Sequence, residues 1–200
     1  MVESDGKNRL GALPDCIEMT ETEPGFTTEI NRRSGVNVDL CWQCKTCSGG
    51  CPFAESMDYH PNQIIRLVQL GVKNAALSSS SIWICVGCHT CSTACPQAID
   101  MAAVMDALRQ TAITEGAAIA EPHIHDFHKE VVNSIHRYGR THKLEIMLRY
   151  NLARRNPFAD FNLGLRMLQK RKLDLLPSKV RRMPDIRKLF KKKKAASHAG

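Results

Sequence analysis

The chain has 200 residues, 43% of them hydrophobic, which is enough to bury one modest core but too little for two independent large domains. Its formal net charge of +8 is uneven, because residues 137–200 carry 19 Lys and Arg against four Asp and Glu. The first residues contain no apolar stretch typical of a signal peptide, and no segment is apolar enough to predict a membrane-spanning helix. We therefore expect a cytoplasmic protein with an acidic body and a basic tail, reaching a membrane only through partners.

The first part of the chain is polar. Residues 1–38 contain prolines and glycines and show little periodicity, which indicates an N-terminal arm that ends in a short extended piece. Cys16 lies alone in this arm, and a lone cysteine has no partner that its sequence identifies.

Two cysteine runs follow, CWQCKTCSGGCP from Cys41 and CVGCHTCSTACP from Cys85. The runs lie 44 residues apart and together contain eight of the nine cysteines. Each run has the spacing C-x2-C-x2-C-x3-C-P, which is typical of bacterial cubane iron–sulfur clusters. We therefore predict two [4Fe–4S] clusters.

The fourth cysteine of such a run binds the other cluster, because three thiolates of the tight loop occupy three corners of one cube and the proline carries the fourth away. The predicted ligands of the first cluster are Cys41, Cys44, Cys47 and Cys95. The predicted ligands of the second cluster are Cys85, Cys88, Cys91 and Cys51.

Other residues of the runs fit this chemistry. Gly49 and Gly50 are expected to let the backbone bend tightly around sulfide, and Pro52 and Pro96 to fix the direction in which the chain leaves. Nearby apolar side chains are expected to exclude water from the clusters. These are Trp42, Phe53, Ile82, Trp83 and Ile84.

Helical patterns occupy the rest of the chain. HPNQIIRLVQLG predicts a short helix with Pro61 in its first turn and Gly71 as its end. A second helix is predicted to end at Gly116, with one apolar face. That face is formed by Met101, Val104, Met105, Leu108 and Ala112. Further helices are predicted in residues 127–139, 142–155 and 163–172, and no alternating strand is evident, so the predicted class is mainly α.

The sequence leaves two alternatives open, which are zinc as the metal of the cysteine runs and a separate site formed by histidines. Four thiolates also bind structural zinc, but zinc usually takes two separated C-x2-C pairs, not a third cysteine followed by Cys-Pro. His123, His125 and His128, with His136 two turns further on, are a candidate second metal or haem site, although histidines at an exposed helix start are more often surface residues.

No catalytic motif occurs outside the cysteine runs. The sequence contains no glycine-rich dinucleotide loop, P-loop or nucleophile elbow, so we expect no substrate site in this chain itself and propose no catalytic residue. The basic end has few aromatic residues and no nucleic-acid-binding motif, which favours docking to an acidic partner or an anionic membrane surface over nucleic acid.

These residues carry a resemblance to a known family. The two runs, the helix between them and the segment MLRYNLARRNPFADFNLGLRMLQKRKLDLLP resemble the C subunit of heterodisulfide reductases, over about residues 28–190. The resemblance implies an α-helical ferredoxin fold with two clusters. It also implies a relay of single electrons between a flavin-containing A subunit and a cysteine-rich catalytic B subunit that reduces, or oxidises, a disulfide or related sulfur substrate.

The expected organisation has four parts. They are an N-terminal arm at residues 1–38, an α-helical ferredoxin-type domain at 39–116, a helical extension at 117–178 and a basic tail at 179–200. Two other functions use the same cluster module: a free diffusible ferredoxin and the iron–sulfur subunit of a quinone-linked respiratory complex. The long basic extension favours a docked subunit over a free ferredoxin, since a small ferredoxin rarely needs one.

Overall fold

The computed structural model describes residues 22–153, 166–167, 169–170 and 180–196, with side chains up to residue 190 except that of Ala153. The chain divides into two compact units between Pro122 and His123. Every regular element in these described ranges is helical, and no strand occurs among them. The predicted mainly α class is confirmed.

In the first unit, helices alternate with the cysteine runs. The α-helices are α1 (Phe26–Ser34), α2 (Thr46–Gly49), α3 (Pro61–Gln69), α4 (Lys73–Ser78), α5 (Ser81–Ile84), α6 (Thr90–Thr93) and α7 (Met101–Glu115). Single turns of 3-10 helix at Val38–Leu40 and Ala54–Ser56 precede and follow the first run.

Helix α3 forms as predicted between the two runs. Pro61 occupies its first turn, and the His60 N–H donates to Gln63 Oε1 at 2.7 Å, which satisfies a backbone donor at the helix start. Gly71 follows the helix with φ +71°, and a Cβ there would lie 2.8 Å from Glu23 O, so only glycine fits. The buried apolar residues of α3 are Ile64, Ile65, Leu67 and Val68.

Helix α7 is the central helix of the first unit and packs against α1, α4 and α5. Its predicted apolar face is confirmed, because all five residues assigned to it are buried. Gly116 ends the helix in the left-handed region at φ +69°, as predicted. Asp100 caps the start by accepting from the Ala102 and Ala103 N–H groups, which gives α7 a fixed first residue beside the second run.

Helix α1 differs from the expected arm. Phe26 and Ile30 are buried in a helix that packs against α7 and α3, and Thr27 Oγ1 donates to Val68 O at 2.6 Å. The expectation that residues 1–38 end in an extended piece is wrong for Phe26–Ser34. Only two apolar side chains, one turn apart, anchor this polar helix, so its periodicity is too weak to recognise without its packing partners.

The second unit contains α8 (Pro122–Tyr138), α9 (Lys143–Ala153) and α10 (Met183–Ala196). Helices α8 and α9 confirm the predictions for residues 127–139 and 142–155, with α8 starting earlier than expected. Ser134 Oγ accepts from the His142 N–H at 2.9 Å and so ties the end of α8 to the start of α9.

The described part of the basic tail is helical from Met183 onward. The Val180 N–H donates to Tyr138 O at 3.0 Å, and the Phe190 ring meets the His136 ring edge-on at 4.9 Å. A segment with little apolar material therefore uses one aromatic contact with α8. The helix predicted for residues 163–172 lies mostly outside the described residues, and Cys16 lies wholly outside them.

Candidate metal centre

The two cysteine runs share one backbone conformation. Gln43 and Lys45 in the first run have φ of 62° and 65°, and Gly87 and His89, 44 residues later, have φ of 64° and 60°. Two left-handed residues in each loop turn the backbone sharply between successive cysteines. Three of these four residues are not glycine, so the conformation carries a steric cost that the rest of the site must offset.

Gly49 and Gly50 do not make this bend, contrary to the prediction. Gly49 lies within α2, Gly50 has φ −94°, and a Cβ on either would meet at most an ordinary contact. Their N–H groups donate to the carbonyls of Lys45 and Thr46. Gly49 thus occupies an ordinary helical position and Gly50 the turn that ends α2, and the equivalent positions of the second run hold Thr93 and Ala94.

The second cysteine of each run is exposed and stands beside a threonine. Cys44 Sγ lies 3.4 Å from Thr46 Oγ1, and Cys88 Sγ lies 3.4 Å from Thr90 Oγ1. Hydrogen bonding with the threonine side chain, and then with its backbone, lowers the pKa of both thiols. The thiolate form, which binds metals, is favoured at both positions.

The third cysteine of each run is less exposed. Burial raises the pKa of the Cys47 thiol, and the nearby Cys41, Cys91 and Cys44 raise it further; burial and Cys85 do the same for Cys91. Thiolates crowded together in this way repel one another unless a cationic group lies between them. The donor set therefore fits an iron–sulfur core, whose irons each accept one thiolate.

The eight cysteines line two cavities. The cysteines around the first cavity are Cys41, Cys44, Cys47, Cys91 and Cys95. The cysteines around the second cavity are Cys51, Cys85, Cys88 and Cys91. Each predicted set of four ligands thus lies around one cavity, with the fourth cysteine supplied by the other run, and Cys91 borders both.

The apolar walls differ in part from the prediction. Phe53 lines the second cavity as predicted, although it is 38% exposed. Ile82 and Trp83 are buried and Ile84 is half-buried, but none of the three borders either cavity, and Trp42 is 65% exposed and borders neither. Further apolar side chains from outside the runs also line the cavities. They are Ile65, Ile99 and Met101 in the first cavity and Met57, Met101 and Met105 in the second.

In each half, a serine links the cysteine loop to the helix that follows it. Ser48 Oγ donates to Asn62 Oδ1 at 2.6 Å at the start of α3, and Asn62 Nδ2 donates to Gln43 Oε1 at 3.1 Å. In the second half, Ser92 Oγ donates to Asp100 Oδ1 at 2.8 Å. These links hold each loop against a rigid helix. Asp100 was recognisable from its position before an apolar run, whereas Asn62 had no distinct signal.

The histidines of α8 do not assemble a site for a single metal ion. Within the described ranges, no group of three or more His, Cys, Asp and Glu side chains is close enough to hold one ion. Four irons at the corners of a cube require more widely spaced sulfurs than one ion does, so this finding does not bear on the two cysteine cavities. No described helix is long and apolar enough to cross a membrane.

Comparison with known proteins identifies the cysteine region. Residues 37–99 match the family described as a 4Fe-4S dicluster domain. This region contains all eight cysteines of the two runs, so the chain is an iron–sulfur protein whose cofactors are two [4Fe–4S] clusters. The predicted cofactors are confirmed.

Curated relatives confirm the resemblance. The chain is 32% identical over 102 residues to the C subunit of the H(2):CoB-CoM heterodisulfide,ferredoxin reductase of Methanothermobacter thermautotrophicus, covering 51% of this chain and 55% of the relative. It is 34% identical over 106 residues to the C subunit of the ferredoxin:CoB-CoM heterodisulfide reductase of Methanosarcina acetivorans, covering 53% and 41%.

A longer match reaches beyond the cluster region. The chain is 28% identical over 160 residues to a second form of the iron-sulfur C subunit of the CoB--CoM heterodisulfide reductase of Methanocaldococcus jannaschii, covering 73% of this chain and 82% of the relative. The chain spans about half the length of the first relatives that it matches.

Proposed function

We propose that this chain is the electron-relay subunit of a heterodisulfide reductase-type complex. The observation that carries the proposal is the pair of adjoining cavities, each bordered by three cysteines of one run and the fourth cysteine of the other. A [4Fe–4S] cluster accepts and releases one electron at a time. Two such cofactors held side by side suit a chain that passes electrons on.

The proposed ligands keep their sequence assignment. Cys41, Cys44, Cys47 and Cys95 hold the first cluster. Cys85, Cys88, Cys91 and Cys51 hold the second. The left-handed loops aim the first three thiolates of each run, and α2 and α6 carry the third one. Because the two sets exchange their fourth ligands, neither half site is complete without the other.

The proposed partners are a flavin-containing A subunit and a cysteine-rich catalytic B subunit. The names of the relatives, which denote one subunit of a heterodisulfide reductase, support a complex of this kind. The complex would act on a disulfide or related sulfur substrate, in the reductive or the oxidative direction. In this proposal the present chain supplies no substrate site of its own, and the oxidoreductase activity belongs to the assembled complex.

Surface features of the first unit support contact with redox partners. Leu40, Trp42 and Val86 are 54%, 65% and 63% exposed, and all lie next to the first cysteine of a run. Exposed apolar side chains beside a cofactor are typical of surfaces that become buried on association. The basic residues 137–200 favour an acidic partner in addition.

The location is proposed to be the cytoplasm. The proposed clusters need the eight cysteines of the runs as thiolates, and a reducing compartment favours thiolates over disulfides. Any attachment to the inner face of a membrane would come through partners.

Anaerobic affinity purification from the native cells tests the proposal. The bound flavin, iron and zinc are measured, and the proteins that elute with the chain are identified. We expect a flavoprotein and a cysteine-rich protein to elute in constant ratio with an iron-loaded chain. A chain that carries zinc without iron, an iron-loaded chain that elutes alone, or a membrane cytochrome as the sole partner would overturn the proposal.

A further inference from the structure

A side chain on the helix after each cysteine run holds the backbone at the first cysteine of that run. In the first half, Gln69 at the end of α3 donates through Nε2 to Val38 O at 2.9 Å and to Cys41 O at 3.1 Å. One neutral amide thus fixes two carbonyls, three residues apart, where the chain enters the first loop.

In the second half, Arg109 on α7 has the corresponding position. Its Nε donates to Ile82 O and its Nη2 donates to Cys85 O. Ile82 and Cys85 are the residues that follow Val38 and Cys41 by 44 positions, so the two clamps grip equivalent carbonyls. Gln69 and Arg109 are only 40 positions apart, so alignment of the two runs does not pair them.

We propose that Arg109 raises the reduction potential of the second cluster, and that Gln69, its neutral counterpart, leaves the first cluster without this effect. The inference rests on the proposed function in that both clusters carry electrons. Reduction adds one negative charge to a cluster that is already anionic, and a nearby fixed cation stabilises the added charge. Arginine keeps its charge at every accessible pH.

The environment of Arg109 strengthens the effect. The guanidinium is partly buried and locked onto two backbone carbonyls, so water and salt screen its charge less than that of a free surface side chain. It is held against the residue that supplies a predicted ligand, Cys85. A rigid cation at this place acts on the cluster whenever an electron arrives, without any rearrangement.

Other charged residues also differ between the two loops. Lys45 in the first loop is exposed, and its equivalent in the second loop is His89, whose Nδ1 lies 3.5 Å from Asp100 Oδ1. A test must therefore change the clamp residue alone and leave these groups in place. Arg109→Gln and Gln69→Arg both leave Lys45, His89 and Asp100 in place, while Gln69→Arg also removes the Oε1 that accepts from the exposed Arg66 at 3.3 Å.

The experiment is a redox titration of the anaerobically purified, cluster-loaded chain, followed by electron paramagnetic resonance. The variants are Arg109→Gln, Gln69→Arg and, as a control for net charge, Arg32→Gln, which removes an exposed arginine of α1 outside both runs. We expect Arg109→Gln to lower the midpoint potential of one of the two reduction steps and to leave the potential of the other step unchanged. Gln69→Arg is expected to raise the midpoint potential of the other step. Arg32→Gln is expected to shift neither potential.

Two further results decide the inference if a variant is damaged. Arg109→Lys keeps the charge but loses the paired hydrogen bonds to the two carbonyls. We expect it to lower the midpoint potential less than Arg109→Gln does. If Arg109→Gln loses its second cluster, an upward shift of a midpoint potential in Gln69→Arg still tests the inference. The inference would be overturned if both midpoint potentials were unchanged in cluster-loaded Arg109→Gln, or if neither potential shifted in Gln69→Arg. It would also be overturned if Arg32→Gln shifted a potential as much as Arg109→Gln does.

This outcome is independent of the partners. A local shift in a chain that purifies alone would support the inference and contradict the proposed complex. Unshifted potentials in a chain that purifies with a flavoprotein and a cysteine-rich protein would do the reverse.

Discussion

Cys91 and Met101 line both cysteine cavities, so the two cavities share a wall. Met101 is the first residue of α7 and is 2% exposed, and Asp100 fixes the start of that helix. The end of one rigid helix therefore separates the two sites. Cofactors bound in adjoining cavities are neighbours, which is the condition that electron passage through one chain requires.

Crossed ligation predicts which cluster each fourth cysteine serves. Cys51→Ser should damage the cluster bound by Cys85, Cys88 and Cys91, and the matched variant Cys95→Ser should damage the other. Each variant should retain about four irons, since one [4Fe–4S] cube remains. Mössbauer and paramagnetic resonance spectra of the two variants measure this. Loss in Cys51→Ser of only the cluster held by the first run would contradict the assignment.

Helix α1 should contribute to the stability of the first unit. Ile30 is fully buried, so Ile30→Ala should cost about 2–5 kcal/mol through lost burial and a residual cavity. The melting temperature of the cluster-loaded chain, measured by circular dichroism, reports this loss. Arg32→Ala on the exposed side of the same helix should change stability by less than about 0.5 kcal/mol. Equal melting temperatures for the two variants would show that α1 does not pack as described.

The Asp58 carboxylate is the centre of a hydrogen-bond cluster between the two runs. It accepts from Ser79 Oγ at 2.7 Å, from the Ser80 N–H at 2.9 Å and from the Ser81 N–H at 3.0 Å. Burial alone would raise its pKa, but the hydrogen bonds from Ser81, Ser79 and neighbouring N–H groups outweigh burial and lower it. The ionised carboxylate is thus the form that stabilises the fold.

This lowered pKa predicts an acid-dependent contribution to stability. The contribution is fully present above the unfolded-state pKa of about 3.9 and is lost as the pH falls through the lower folded-state value. Asp58→Asn should therefore reduce the free energy of unfolding at pH 7 by about 1–3 kcal/mol and so lower the melting temperature. The difference in melting temperature between this variant and the natural chain should narrow below about pH 4. The exposed variant Glu55→Gln is the control. A difference that is constant with pH would rule out this role of the charge.

The basic C-terminal segment should contribute to assembly without affecting the clusters. Deleting residues 179–200 removes many of the basic residues of the tail and should weaken co-purification of partners, while iron and sulfide content stay unchanged. Replacing Lys191, Lys192, Lys193 and Lys194 by Gln separates charge from chain length. Undiminished recovery of partners with the truncated chain would discard the docking role.

Local patterns predicted much of the fold and the site. The cysteine spacing, repeated after 44 residues, is specific because each loop must present three thiolates at fixed intervals. Helices α3 and α7 have strong apolar periodicity and end at glycines, Gly71 and Gly116, that adopt left-handed conformations. Each of these patterns lies within a single segment, so it can be recognised in the sequence without knowledge of the packing.

The remaining features depend on contacts between distant segments. Helix α1 is polar and is held by Phe26 and Ile30 against residues far along the chain. The loop bends occur at Gln43 and Lys45, where no propensity predicts a left-handed residue, while Gly49 is helical and Gly50 has a negative φ. Gln69 and Arg109 act at equivalent carbonyls from positions that do not align. Each of these becomes visible only once the helices are placed together.

Electron relay requires two clusters of one chain to lie close enough to interact, and a redox titration of the purified chain followed by paramagnetic resonance tests this most directly. The adjoining cavities predict two one-electron reductions, with spectra that change when the second cluster is reduced because the two spins couple. Two independent, uncoupled signals, or a chain that binds zinc and shows no reducible cluster, would contradict the relay.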